Sequence, residues 1–477
     1  MFNCMKCCTK VLFLHHKMKT RSKNIKRIVL LLLMLALAVW VATRWQVWFS
    51  NPEELAVKPL ETPGHVLLTF GDDNEMSRNV SWQCDTMLQP SRLELVCLET
   101  DDTTCIDAVG EVFESRKGKA AYYVARLRQL QPDSHYRYRV MSGEQASQWY
   151  SFKTYATGRD KFSFLFVGDV QDTIGGIANK LLMEAWAQHP EVEFLVCGGD
   201  LIERPANQYW DETFRDLDSI GQSMPVLNVT GNHDYFKGII RRLERRFPLV
   251  FSYFLDSKDG DNMVYTLNYG DAQIFVLDSN REFFHLWTQR KWLEEKLKNS
   301  EAKWKILVLH HPLYSIKKKN NNLIQRWMFD DLVRQYGVDL VMQGHEHAYA
   351  RRIGGVYKND APAIPVYTIS HCSPKNYRIR FDESFDKFGI SSRYYQTVNV
   401  SGDTLSMATY DANTHALYDS LMVLVSPNKV HLVRDLGKDI PEYMEFTPDP
   451  NNKKDLKFAK RIQEYVKSHP ERKKTKN

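Results

Sequence analysis

Leu195-Val196-Cys197-Gly198-Gly199-Asp200-Leu201-Ile202-Glu203 is the stretch from which the rest of this chain can be read. A short apolar run ending in Gly-Gly-Asp has the pattern of a buried strand emptying into a site. In parallel α/β sheets ligands gather at the carboxyl ends of strands, and glycines there let a ligand approach the backbone closely. Four further runs end in the same way. Phe162 to Val167 leads into Gly168-Asp169-Val170-Gln171, and Val226 to Thr230 into Gly231-Asn232-His233-Asp234. Trp304 to Leu309 leads into His310-His311-Pro312, and Val338 to Gln343 into Gly344-His345-Glu346-His347. Five strand ends thus present Asp, Asp, Asn, His and His-x-His, a set of hard-to-borderline metal ligands. A single Gly-Asp after a strand is commonly only a turn; five such tips in one chain are poorly explained as coincidence.

Taken in this order the five motifs resemble the signature of the calcineurin-like metallophosphoesterases, from about residue 160 to 425. The resemblance implies an α/β four-layer sandwich over residues 160–430, two central mixed sheets flanked by helices. The residue pattern agrees: strands near 162–167, 193–197 and 307 alternate with helical stretches at 174–188, 207–220 and 323–336. Strands at 366–370, 396–400, 406–410 and 419–425 follow without helices between them and are expected to form the second sheet.

Ahead of this region, residues 60–155 read as short alternating strands spaced for an all-β sandwich. Leu127-Arg128-Gln129-Leu130-Gln131-Pro132-Asp133-Ser134-His135-Tyr136 resembles the corner of fibronectin type III domains, which a tyrosine locks. A domain of this kind before a metallophosphoesterase domain resembles the layout of plant-type purple acid phosphatases. Sandwiches of this sort commonly serve as spacers or binding modules.

The resemblance also implies roles. Two divalent cations about 3.5–4 Å apart neutralise phosphate oxygens and lower the pKa of a shared water. Asp200 is expected to bridge them, Asp169 and His347 to complete the first site, and Asn232, His310 and His345 the second. His233 is expected to face substrate beside Asn232 and protonate the leaving alcohol, with Asp234 orienting its ring. His311 reads as a packed neighbour.

Two positions depart from the family. Many members carry Asp-x-His where this chain has Asp169-x-Gln171, and Gln171 can serve either as a neutral ligand or as a hydrogen-bond partner. Purple acid phosphatases place an iron(III)-binding tyrosine three residues after the bridging Asp; here that residue is Glu203. Without that phenolate the expected metals are a colourless divalent pair, Mn, Zn or Fe, unless another tyrosine such as Tyr349 takes the role. Arg241, Arg242, Arg245 and Arg246, on a stretch that reads as helix, and Lys317 to Lys319 are candidates to hold a distal phosphate.

The overall charge of +6 is unevenly spread. Residues 1–50 hold nine Lys/Arg and no Asp/Glu, and residues 452–477 hold ten against three, leaving the middle at about −10. An acidic body argues against a nucleic-acid surface. Ile28 to Val41 is an unbroken apolar run behind scattered basic residues; with a start at Met18 it is proportioned as a bacterial signal peptide, and otherwise as an anchor in residues 1–50. Either reading exports the remainder to the periplasm or the exterior. In such a compartment Cys84, Cys97 and Cys105 can supply one disulfide, while Cys197 and Cys372 read as packed thiols. Residues 450–477 read as a basic, solvated tail.

The expected activity is therefore phosphate-ester hydrolysis, foremost of monoesters. Phosphodiester or nucleotide hydrolysis is the alternative within the class, and a non-catalytic surface-binding protein the alternative outside it.

Overall fold

The computed structural model describes residues 2–72, 74–238, 240–253, 263–317, 321–354, 364–428 and 430–470, with side chains from residue 25 onward. By internal contacts the chain divides into residues 1–51 with 237–242, and the remaining body. The first unit is dominated by one helix, Phe2–Trp48. Its segment Ile25–Trp48 has 24 residues, a mean hydropathy of 2.4 and no buried positions. At 1.5 Å per residue it is long enough to cross a membrane, by length and composition. The apolar run alone is shorter; Thr43, Trp45 and Trp48 carry the same helix onward.

The body is built on two sheets. One runs through fifteen strands, and its middle is the parallel trio Lys161–Val167, Leu195–Cys197 and Val226–Asn228. The other joins seven strands, with Ala272–Leu277, Trp304–Leu309, Leu340–Gln343 and Val366–Ile369 in parallel order. Alternate side chains of the second sheet face two cores. Ile274, Val276, Ile306 and Val308 join the core shared with the first sheet. Phe275, Leu277, Leu307 and Leu309 pack beneath helices Phe283–Lys298, Leu323–Gln335 and Lys453–Ser468. This two-faced burial explains why the strands read as unbroken apolar runs.

The late strands are distributed differently from the expectation. Tyr394–Ser401, Thr404–Asp411 and Leu417–Val425 extend the first sheet antiparallel from Lys161–Val167. Of the four strands expected there, only Val366–Ile369 enters the second, where Tyr349–Ile353 and Lys387–Gly389 also pair. The strand Thr103–Ser115 and the helix Phe283–Lys298 were not legible in the sequence pattern.

The N-terminal β-domain is continuous with the body. Its strand Gly64–Phe70 pairs in parallel with Val226–Asn228 at Thr69 and Val226, so one sheet passes through both regions. Polar bonds close the seam: the Tyr138 hydroxyl donates to the Gln222 carbonyl (2.8 Å), and Asn207 Nδ2 to the Leu55 carbonyl (2.8 Å). A tethered spacer would not share a sheet with the domain it precedes. Within the β-domain the Tyr136 hydroxyl accepts the Gln131 N–H at 2.7 Å, the corner lock expected from that stretch.

Three other expectations are corrected here. Residues 453–468 form a helix whose Phe458, Ile462 and Tyr465 are buried against Phe381 and Phe388, so this part of the tail is core. The end beyond residue 470 lies outside the described residues. Cys84, Cys97 and Cys105 are free thiols. The stretch carrying Arg241, Arg242 and Arg245 is not helical, since the helix begins at Arg246. Arg246 is buried, donates to Glu244 (2.8 Å) and Asn207 (2.7 Å), and lies 4.5 Å over the Phe113 ring. It closes the seam and is not available to a phosphate. Arg245 pairs with Glu111.

Candidate metal centre

All five strand tips read from the sequence converge. The tips of Lys161–Val167, Leu195–Cys197 and Val226–Asn228 supply Asp169, Asp200 and Asn232; those of Trp304–Leu309 and Leu340–Gln343 supply His310, His345 and His347. Ligand atoms of Asp200, His310 and His345 all lie within 4.8 Å of one another. His310 Nδ1 donates to the Gly198 carbonyl (3.0 Å), which fixes the tautomer and turns Nε2 towards Asp200 Oδ2 (3.3 Å) and Asn232 Oδ1 (3.3 Å). His347 Nε2 lies 3.5 Å from Asp169 Oδ1. Gln171 Nε2 donates to Asp200 Oδ2 at 3.0 Å, leaving its own Oε1 buried without a partner.

The backbone is bent to aim these groups. Asp169, Gln171, Asp200 and His345 have φ of 41°, 31°, 52° and 71°. Non-glycine residues rarely adopt this left-handed region, and such strain clusters at functional sites. Glycines make the approach possible: a Cβ on Gly231 would stand 2.0 Å from Asp200 Oδ1, and one on Gly344 would stand 2.3 Å from Asp169 Oδ2.

Electrostatics point the same way. Burial pushes the Asp169 carboxyl well above its ordinary range, and Asp200 adds to this against the pull of His310. Burial also disfavours charge on His310 and Asp200, but their mutual attraction wins. It lifts His310 to about 9 and, with His233 helping, holds Asp200 below the usual carboxylate range. Burial depresses His347 to about 3 and His345 well below the ordinary imidazole value, so both are neutral at physiological pH. The arrangement fits divalent cations: buried carboxylates that repel each other, the neutral imidazoles of His345 and His347, and the orphaned Asp169 Oδ1 and Gln171 Oε1.

His233 is placed here, with a different support. Its Nδ1 donates to the backbone carbonyl of Glu203 at 2.5 Å, and its own N–H donates to Asp200 Oδ1 at 2.7 Å. Asp234 does not orient the ring; its Oδ2 accepts the Gly231 N–H and its Oδ1 is buried without a partner. The peptide turn decides this, because Gly231 and Asp234 close on each other while His233 is turned towards Glu203. His311 is a packed neighbour as expected, its Nδ1 3.0 Å from Ser279 Oγ and its ring 4.4 Å from that of His345. Tyr349 is not at the centre, since its hydroxyl donates to Asp419 Oδ2 (2.7 Å) in a separate buried cluster. Lys317 sits 4.2 Å over the Tyr377 ring, while Lys318 and Lys319 lie outside the described residues.

A sixth strand tip went unread. After Val366–Ile369 the chain delivers His371, Lys375 and Tyr377. His371 is fully buried, its ring 5.7 Å from that of His347. Tyr377 packs at 4.4 Å on His347, and Lys375 Nζ lies 2.5 Å from Glu203 Oε2. The available signal was polar residues following an apolar run, as at the other five tips.

This fold and site fit a metallophosphoesterase domain. Residues 162–349 match the calcineurin-like phosphoesterase family, and residues 63–154 match the purple acid phosphatase N-terminal domain. Residues 162–349 thus form a calcineurin-like phosphoesterase domain, preceded by a domain of the kind found at the N-terminus of purple acid phosphatases. It is 25% identical over 334 residues to a phosphoenolpyruvate phosphatase of Allium cepa, covering 65% of this chain and 67% of that one. It is 27% identical to purple acid phosphatase 1 of Ipomoea batatas, over 50% of this chain and 54% of that one. With the Fe(3+)-Zn(2+) purple acid phosphatase 12 of Arabidopsis thaliana it shares 26% identity, covering 46% and 50%. The chain thus spans about half to two thirds of the length of these relatives. Among solved structures, purple acid phosphatase PPD1 from yellow lupin superposes with a TM-score of 0.62 at 16% identity, covering 77% of this chain and 75% of that one. PhoD gives 0.58 at 12%, covering 88% and 100%. These two likenesses concern the fold.

Proposed function

We propose that this chain is an exported binuclear-metal phosphomonoesterase. The observation that carries the reading is the convergence of Asp169, Asp200, Asn232, His310, His345 and His347, from the tips of both sheets, around one buried point. Asp200 reaches towards both halves and is the residue suited to bridge two cations. When bound, such a pair neutralises phosphate charge and lowers the pKa of a water. The chain's own residues do the rest. Asn232 and His233 face the phosphate, and the Glu203 carbonyl occupies His233 Nδ1, which leaves Nε2 to pass a proton to the leaving alcohol.

The metals are a divalent pair, Mn, Zn or Fe(II). Glu203 stands where a phenolate would favour iron(III), and its carboxylate is engaged by Lys375 and Arg204. The basic stretch followed by an apolar run near the start of the sequence supports export, with Ile25–Trp48 as either signal or anchor. The monoester preference rests on the plant phosphatases to which the chain is similar.

Metal analysis and two esters test the proposal. The purified chain is expected to hold about two metal ions, to be colourless, and to turn over p-nitrophenyl phosphate faster than its bis-ester. Asp200→Asn should lose both metals and the activity, since a neutral amide cannot bridge two cations. Preference for the bis-ester would make it a phosphodiesterase, and a metal-loaded chain inert to both would make it a binding protein.

A further inference from the structure

Two neighbouring helices of the catalytic body open with the same pattern, two apolar residues and a tryptophan at i, i+1 and i+4. In Phe283–Lys298 these are Phe283, Phe284 and Trp287; in Leu323–Gln335 they are Leu323, Ile324 and Trp327. None is needed for packing inward, because Leu286, Leu293 and Leu297 on one helix and Met328, Phe329 and Leu332 on the other already fill the core. The six instead form one exposed patch. Phe284 is 81% exposed, Trp327 63% and Leu323 51%. Phe283 and Trp287 stack on Trp327 from opposite helices, with centroids 5.9 and 6.4 Å apart. The helices are clamped together by Arg290, whose guanidinium grips Asp331 through two bonds of 2.6 Å. Contiguous apolar surface on a rigid support marks an interaction site.

The segments that lead into both helices are tied to the metal centre. Both helices start from strand ends on the side that delivers His310. Between strand and helix, Asn280 Nδ2 donates to the Thr230 carbonyl (2.8 Å), just before Asn232, and Ser279 Oγ meets His311 Nδ1 (3.0 Å). Gln325 Nε2 ties the second helix to the Ser279 carbonyl (3.1 Å).

We propose that this patch docks the body onto a lipid bilayer, so that the site takes phosphate monoesters of long-chain lipids presented there. Phenylalanine, leucine and isoleucine have no polar atoms to read a sugar or a base, whereas a mixture of these with tryptophan, bordered by Lys291 over the Trp287 ring (5.8 Å), is the composition of interfacial anchors. The same chain carries an apolar helix of membrane-spanning length, and a tethered body needs only weak additional affinity to stay docked. The substrate half rests on the phosphomonoesterase reading; the docking half does not.

The full chain reconstituted in vesicles tests both. With bromine on the acyl chains, the fluorescence that distinguishes wild type from Trp287→Phe/Trp327→Phe isolates these two tryptophans, and it should be quenched at least twofold relative to unbrominated vesicles. If that difference signal is unquenched, docking is overturned. For turnover, Phe284→Ser/Trp327→Ser should keep soluble p-nitrophenyl phosphate hydrolysis within twofold and lose tenfold or more on a vesicle-borne long-chain phosphate monoester. Equal effects on the two esters would overturn the substrate assignment. Quenching without turnover of either ester would remove the phosphomonoesterase reading and leave docking standing.

Discussion

At the scale of single residues, the least expected feature is what holds His233. A neighbouring carboxylate at Asp234 invited the role of ring orienter, yet a backbone carbonyl from the Asp200 loop does that work. His233→Ala keeps the backbone N–H that Asp200 accepts, so both metals should be retained while kcat falls roughly 10²–10⁴-fold on alkyl phosphates. Loss on p-nitrophenyl phosphate should be far smaller, because its leaving group needs little protonation. Metal content and kcat on the two esters decide; equal losses with depleted metal would reject the proton-donor role. The six residues proposed as metal ligands were legible because each ends an apolar run. His371, Lys375 and Tyr377 end such a run too, but they match no motif, and only packing against His347 and Glu203 brings them forward.

At the scale of elements, the basic C-terminal stretch is instructive. Its charge reads as solvated, yet Phe458, Ile462 and Tyr465 recur at helical spacing, and Asn452 caps the start by accepting the Lys454 N–H at 3.0 Å. Seven of its residues carry charge away from the core and an eighth, Asp455, is buried and paired with Arg378, while three apolar residues hold the helix to the second core; the burial of those three outweighs the polar majority. Phe458→Ala should therefore cost about 3 kcal/mol, the range for large-to-small changes in a core, read as a shift in the denaturant midpoint. A shift under about 0.5 kcal/mol would return this segment to the surface class.

At the scale of the molecule, the β-domain and the phosphoesterase body share one sheet, so they are expected to unfold in a single calorimetric transition. The seam is also expected to respond to pH. His65, stacked at 4.2 Å on Phe214, is depressed by burial to about 4, against the Gln83 hydrogen bond that would raise it. A histidine buried neutral contributes stability that is present above its unfolded value near 6.5 and lost as pH falls towards 4. With partial exposure discounted, the loss is on the order of 2 kcal/mol. His65→Phe should thus lose less Tm between pH 7.5 and pH 4 than wild type; identical losses would show that the seam does not titrate.

The sequence by itself determined the order of strands and the chemistry at their tips, because both are local: a run of apolar residues, a glycine, a ligand. The division of late strands between the two sheets, the fusion of the β-domain through Thr69 and Val226, and the burial of Arg246 were decided only by tertiary structure. Each depends on which distant surface an element meets, and pairing energy between strands carries no mark in the sequence of either one. The same holds for the patch at Phe283 and Leu323: its periodicity is that of any amphipathic helix, and only the fold shows that the core was already full.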